Sequence, residues 1–174
     1  MNPELVNKIT AAFPAFFIGR SKPDTESRMA DGCSCDDGWY ELIHNFCSET
    51  KQILDQARHV HSRNGEMIAH EPPKFEFVQI KEKLGTLRIY YNVWQPDAPL
   101  ADKDPRDIEK RLLEITQRIS GFKAFAYLLS SKTCELTGSE GKLKISGGWL
   151  KTLSQENALE LGFDNLPSDH YLND

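Results

Sequence analysis

Phe75-Glu-Phe-Val-Gln-Ile-Lys-Glu-Lys-Leu-Gly85-Thr-Leu-Arg-Ile-Tyr-Tyr-Asn-Val-Trp94 is the most β-prone stretch of the chain. Residues 75–80 and 87–94 are rich in β-branched and aromatic side chains. Gly85 sits in the short link between them, which is the pattern of a hairpin. Alternation predicts two faces on the second strand: Leu87, Ile89, Tyr91 and Val93 on one, Arg88, Tyr90, Asn92 and Trp94 on the other. On the first strand it sets Val78 and Ile80 opposite Phe77 and Gln79. Neither strand is apolar on one side only, so partial cover on both faces is expected. Asp97-Ala98-Pro99 closes the hairpin.

Helical patterns lie on either side. Asn2-Pro3-Glu4 is a helix start, with a cap, a first-turn proline and an acid. Leu5, Ile9, Ala12 and Phe13 recur at helical spacing until Pro14 breaks the run, and Phe16-Phe17-Ile18 is expected to bury. Residues 19–37 read as a long loop. Trp39, Leu42, Ile43, Phe46, Cys47, Ile53, Leu54 and Ala57 form the apolar stripe of a core helix, capped by Asp36 or Asp37 and ending near His59. Residues 61–73 read as a polar loop. Asp104-Pro105-Arg106-Asp107 opens another helix, buried through Ile108, Leu112, Ile115 and Ile119. Its wet side pairs Asp107 with Arg111 and Glu114 with Arg118. Gly121 is expected to interrupt it before the apolar run 124–129. A short strand over 142–145, the turn Gly147-Gly148-Trp149 and a helix near 155–161 follow. The expected fold is α+β: a hairpin extended to a small antiparallel sheet and packed against two or three helices.

The 174 residues fit one domain. It divides into an N-terminal helix and loop (1–34), an α+β core (35–130), a C-terminal hairpin and helix (131–161) and an acidic tail (162–174). With 39% hydrophobic and 27% charged residues and a mean hydropathy of −0.52, the chain is neither membrane-embedded nor fully disordered. No apolar run approaches the roughly 18 residues of a membrane span. Residues 11–18 lack the basic flank of a signal peptide, so the cytoplasm is the expected address. The net charge is −5, and it is uneven: −6 over residues 24–50, +4 over 51–154 and −5 over 155–174. Such a balance disfavours a nucleic-acid binder and suits docking onto a basic protein.

Three stretches together resemble a family of small uncharacterised bacterial and bacteriophage proteins. They are Asp37-Gly-Trp-Tyr-Glu-Leu-Ile, Gln79-Ile-Lys-Glu-Lys-Leu-Gly-Thr-Leu-Arg-Ile-Tyr-Tyr, and Thr133-Cys-Glu-Leu-Thr-Gly through Gly147-Gly-Trp-Leu-Lys-Thr-Leu. The family pattern is a "DGW(F/Y)xLI" helix start, a "VKEKFGGLRFY" hairpin and a "CxxCGxxG…GGWxxTLCxxH" tail, and the resemblance spans roughly residues 35–157. It implies architecture and no particular reaction. The tail has the logic of a zinc ribbon, in which four ligands surround Zn²⁺. Here Cys134 matches, while Thr137, Ser154 and Asn157 stand at the other three ligand positions. The resemblance therefore implies a zinc-ribbon-like hairpin without its metal, and no cofactor is expected.

Catalytic signatures are thin. The chain has no GxSxG, P-loop, GxGxxG or HExxH. His44 with Cys47, the Cys33-Ser34-Cys35 pair, His59 and His61 with His70, and the acids Asp36 and Asp37 are the candidate reactive groups. Core packing of Cys47 beside His44, free thiols at Cys33 and Cys35 with no second ligand pair, a loop end at the histidines and helix capping by the acids are the competing accounts. Two surfaces remain as binding candidates. One is acidic: Asp31, Asp36, Glu41, Asp164 and Asp169. The other is cationic and aromatic: Lys81, Lys83 and Arg88 at the hairpin, with Tyr90, Trp94, Trp149 and Lys151. Burial of the Trp149 indole against the hairpin is the expected use of that residue. Three function classes follow. The first is a non-enzymatic protein that binds and occludes a basic protein partner, as phage anti-defence inhibitors such as anti-CRISPRs and toxin-immunity proteins do. The second is a nucleic-acid-associated protein using the basic hairpin. The third is an enzyme built on a Cys or His.

Overall fold

In chain order the elements are α1 (Pro3–Ala12), β1 (Cys33–Ser34), α2 (Tyr40–Gln56), β2 (His59–His61), β3 (Met67–Ala69), β4 (Lys74–Lys83), β5 (Thr86–Trp94), α3 (Pro105–Ser130), β6 (Lys142–Ser146), β7 (Trp149–Leu153), α4 (Gln155–Leu161) and β8 (Asp164–Asn165). This computed structural model describes residues 1–30, 32–57, 59–61, 67–69, 72–96 and 105–166. The class is α+β, as the sequence predicts.

The hairpin of β4 and β5 is the centre of the fold. Its link is Leu84-Gly85, with φ of 55° and 70°. Two positive φ values make the turn whose twist matches that of paired strands. Leucine in this region costs about 1–2 kcal/mol, and the Glu82 carboxylate holds the turn by accepting the Gly85 N–H at 2.6 Å. Phe77 pairs with Tyr91 and Gln79 with Tyr90, so Val78 is an extra residue in a β-bulge. The bulge corrects the alternation reading. Phe75, Phe77 and Ile80 all bury on one face, and Val78 is exposed. β1 joins the other edge of β4 in parallel, which makes the sheet mixed rather than wholly antiparallel.

One face of this sheet is thickly covered, and the other is partly covered, with Gln79, Lys81 and Arg88 half-buried. Phe16, Phe17, Phe46, Phe75, Phe77 and Tyr91 form an aromatic cluster with ring centroids 4.7–6.3 Å apart. The α2 stripe buries on it as predicted, with Ile43, Phe46, Cys47 and Ile53 at 2% exposure or less. Each such side chain contributes roughly 1.5–3 kcal/mol of burial. α3 lies beside α2 and against β5, and contributes Ile115, Ile119 and Ala126 to the same core.

Several local readings change. α1 is capped as expected, with Asn2 Oδ1 accepting the Leu5 N–H at 3.0 Å. Phe16 and Phe17 bury, but Ile18 stays exposed at the start of a 3-10 turn. The loop at 19–37 contains β1, and that at 61–73 contains β3, which pairs with β2 just ahead of it. Gly121 does not interrupt α3, because it lies on an open helix face and a helix tolerates one glycine at modest cost. Arg118 donates to Gln56 Oε1 of α2 at 2.9 Å. Arg111, instead of lying wet, has one terminal nitrogen buried with no hydrogen-bond partner among the described residues.

The C-terminal portion is a second small cluster around Cys134, Leu153 and Ala158. β6 and β7 form the expected C-terminal hairpin over Gly147-Gly148, and β8 pairs with the free edge of β6. Ser154 caps α4, and Gly162 closes it with φ 69°. Phe163 packs onto the cluster, as anticipated for the tail. Tyr171 and Leu172 lie outside the described residues.

Candidate functional site

The three motif stretches meet at one joint between the sheet and the C-terminal hairpin. Asp37-Gly38-Trp39 forms a 3-10 turn ahead of α2. The Gly38 N–H donates to Glu135 O at 2.7 Å. A Cβ at Gly38 would stand 2.2 Å from Cys134 O and 2.4 Å from Gly138 N, so no other residue fits. Trp39 is fully buried and its Nε1–H donates to Thr133 O at 2.9 Å. From the other side, Thr152 Oγ1 donates to Gly85 O at 2.6 Å. The Gly85 side of the β4–β5 tip is therefore an internal contact, while Leu84 stays exposed.

A partly buried ion network, with Glu135 at its buried end, locks the joint. Lys151 Nζ donates to Asp36 Oδ2 at 2.7 Å and Glu135 Oε2 at 3.3 Å. The Asp36 N–H donates to Glu135 Oε1 at 3.2 Å. Burial pushes the Glu135 carboxyl up, and the Lys151 charge offsets only part of that. For Lys151, burial favours the neutral amine, yet the hydrogen bond to Asp36 and the two carboxylates outweigh it and raise the ammonium. Asp36 and Lys151 come from opposite candidate surfaces, and here they neutralise each other. Asp37, expected as a helix cap, accepts instead from the backbone and side-chain nitrogens of Asn2 at 2.6 and 2.7 Å. These bonds hold its carboxyl below the usual range despite some desolvation.

Beside the joint, Cys134, Thr137, Ser154 and Asn157 converge. The Cys134 thiol donates to Asn157 Oδ1 at 3.3 Å, and Ser154 Oγ donates to the same oxygen at 2.8 Å. Burial raises the thiol. Donation from the Thr137 hydroxyl and from the Ser154, Thr137 and Leu136 backbones outweighs burial and lowers it overall. This constellation supplies one sulfur and neutral oxygens, which is not a tetrahedral zinc set. Among the described residues no group of three or more His, Cys, Asp or Glu is placed to hold a metal ion.

The other reactive candidates are packed as structure. Cys33, Cys35 and Cys47 are free and buried. Burial pushes Cys33 up to about 11 and raises Cys35 and Cys47 as well, so these thiols are protonated and weak nucleophiles. His44 lies between the rings of Phe13 and Tyr40, at centroid distances of 5.3 and 5.8 Å. His59 and His61 belong to β2 rather than a loop end, and His70 lies outside the described residues. A cavity of about 760 Å³ beside α1 and α2 is mainly apolar, and of its charged lining Lys51 is paired with Asp55.

On the surface, Glu41 and Asp164 are exposed, while Asp31 and Asp169 lie outside the described residues. Lys81 stands directly opposite Arg88 on the open sheet face, with Lys83 exposed further along. Lys81 Nζ lies 5.6 Å from the Tyr90 ring centroid, and the Arg88 guanidinium 4.7 Å from that of Tyr127. Trp149 is 76% exposed, contrary to its expected burial, because the β6–β7 turn points it away from the core.

The sequence reading missed the second half of α3. Between Gly121 and Leu129 only Ala126 is buried. Phe122, Phe125, Tyr127, Leu128 and Leu129 are all exposed. Between α2 and α3, Leu42, Phe46, Phe122, Phe125 and Leu129 line a groove of about 250 Å³ that also includes Asn45 and Glu49. The signal was available: the run 121–129 is apolar at nearly every position, more than one buried face accommodates. No helix among the described residues is long and apolar enough to cross a membrane.

No protein-family model, curated protein or solved structure matches the chain.

Proposed function

We propose that the chain is a non-catalytic binding protein that acts by forming a stoichiometric complex with another protein. The observation that carries this reading is the exposed apolar half of α3, with Phe125 58% and Leu128 59% accessible. Contiguous apolar surface of this kind on a folded domain marks an interaction site. The resemblance to small bacterial and bacteriophage proteins supports an anti-defence or immunity setting in a bacterial cytoplasm. The acidic segments support a partner with a basic surface.

The test is kinetic. Association with the partner recovered by crosslinking should be one-to-one. Neutralising Asp31, Glu41, Asp164 and Asp169 together should slow it and flatten its salt dependence, since peripheral charges act mainly on the association rate. Asp36 is left intact because it holds Lys151. Partner binding that is unchanged in this variant, yet lost when Lys81, Lys83 and Arg88 are replaced, would move the contact to the open sheet face.

A second reading rests on that face. Lys81 opposite Arg88, with Lys83 beside them, is a cationic cluster next to Tyr90, suited to a nucleic-acid strand. Fluorescence anisotropy with single-stranded oligonucleotides tests it. Saturable binding that weakens steeply with salt favours this reading.

A further inference from the structure

We infer that the groove between α2 and the second half of α3 is the docking site for a basic amphipathic helix of a protein partner. The inference rests on the binding reading above and names the surface and the chemistry of the partner. The groove, about 250 Å³ and lined by aromatic and aliphatic side chains, falls below the ~300–1,000 Å³ of small-molecule sites. It suits anchor side chains of a polypeptide. Its α3 wall carries Phe122, Phe125 and Leu129, one helical face at spacings of three and four, which is how a groove receives an amphipathic helix. Lys123 and Tyr127 of α3 face the other way. Lys123 lies 5.7 Å from the Tyr91 ring centroid, and Tyr127 stacks under Arg88.

Charge selects the occupant. Glu49 is the one ionisable residue among those lining the groove. Glu41, two helical turns earlier on α2, is exposed on the same side. Glu41, Asn45 and Glu49 thus form an acidic rim along the apolar floor, while the α3 wall between Gly121 and Leu129 adds no charge on that side. A helix with apolar residues at i, i+3 or i+4 and i+7, and Lys or Arg along one flank, satisfies both. A second copy of the chain is a poorer occupant. Pairing of two α3 helices about Phe125 would set each copy's Glu41 and Glu49 beside an α3 wall that offers no cation on that side to match them.

The probe is a displayed library of 18-residue helix-forming peptides, panned against the full chain and then against Phe125→Asp. Peptides enriched on the parent chain should carry apolar residues at the stated spacing and Lys or Arg on one flank. A synthetic consensus peptide should bind one per chain by anisotropy. Its affinity should fall at least tenfold in Phe125→Asp and several-fold in Glu49→Lys. Leu113→Asp, also exposed on α3 but outside the groove, should bind as the parent does, and circular dichroism of each variant should report an unchanged fold. Enrichment that is equal on Phe125→Asp, or that favours acidic flanks, or that fails altogether, overturns the proposal. So does a concentration-dependent dimer in sedimentation that Phe125→Asp abolishes, since the occupant is then a second copy. A natural partner that binds Phe125→Asp as tightly as the parent removes the groove and leaves the stoichiometric-binding reading standing.

Discussion

Gly38 has a role that its local conformation alone would not reveal. Its φ is unremarkable for any residue, but backbone atoms of Cys134, Glu135 and Gly138 occupy the space of a Cβ. Gly38→Ala must push the C-terminal hairpin away from the start of α2. We expect a loss at the upper end of the ~1–3 kcal/mol typical of overpacking, read as a lowered urea midpoint; an unchanged midpoint would show that the joint yields freely. Glu135 makes a second prediction. Its carboxyl is raised by burial, so the folded chain holds that proton more tightly than the unfolded chain does. The stability this contributes is present below the ordinary carboxylate value of 4.5 and is lost as the pH climbs through the raised value. Melting temperatures across that window should show the parent falling relative to Glu135→Gln as pH rises. A difference that does not vary with pH counts against the buried carboxylate.

Among the elements, α3 departs most from a simple periodic reading. Its first half buries Ile115 and Ile119 as the spacing predicts, whereas its second half buries only Ala126 and Ser130. Gly121 lies at that change with open space around it. Gly121→Ala should stabilise the chain by about 0.8–1 kcal/mol through helix propensity alone, seen as a higher urea midpoint; a lower midpoint would mean the glycine serves a contact. In the C-terminal hairpin, hydrogen bonds among Cys134, Ser154 and Asn157 hold the positions that a zinc ribbon would give to metal ligands. Elemental analysis should find well under one zinc per chain, and a chelator should leave the melting temperature unchanged. Zinc near one per chain that disappears in Cys134→Ala would reverse that expectation. The strand pair at 75–94 and the α2 stripe were legible because alternation and helical spacing are local properties. The Val78 bulge was not, since an inserted residue is visible only once its partner strand is aligned. β1 and β8 are two residues each, too short to carry a pattern.

For the molecule as a whole, the legible part of the candidate site was its charge and the illegible part its geometry. Glu41 and Asp164 are exposed as the acidic segments suggested. Asp36 and Lys151 read as members of rival surfaces because nothing in a sequence says that residues 115 apart will share a hydrogen bond. The apolar run of α3 has more apolar positions than one buried face holds, but which of them stay exposed is decided by long-range cover, and among residues 121–129 only Ala126 has it. The resemblance motifs gain a physical account at this scale. They are the parts of the chain that touch where the sheet, α2 and the C-terminal hairpin join.

That joint also sets an order on biosynthesis. Trp39 emerges from a ribosome long before its acceptor Thr133, 94 residues later. At about 5–20 residues per second, the nascent helix start waits roughly 5–20 s with its indole unsatisfied. Until then the tip of the β4–β5 hairpin lacks its lid, and Glu135 has not yet arrived to meet Asp36. Translation speed through residues 40–133 thus governs how long an incomplete, sticky surface is offered to chaperones, and slow codons there should raise chaperone dependence without altering the finished protein.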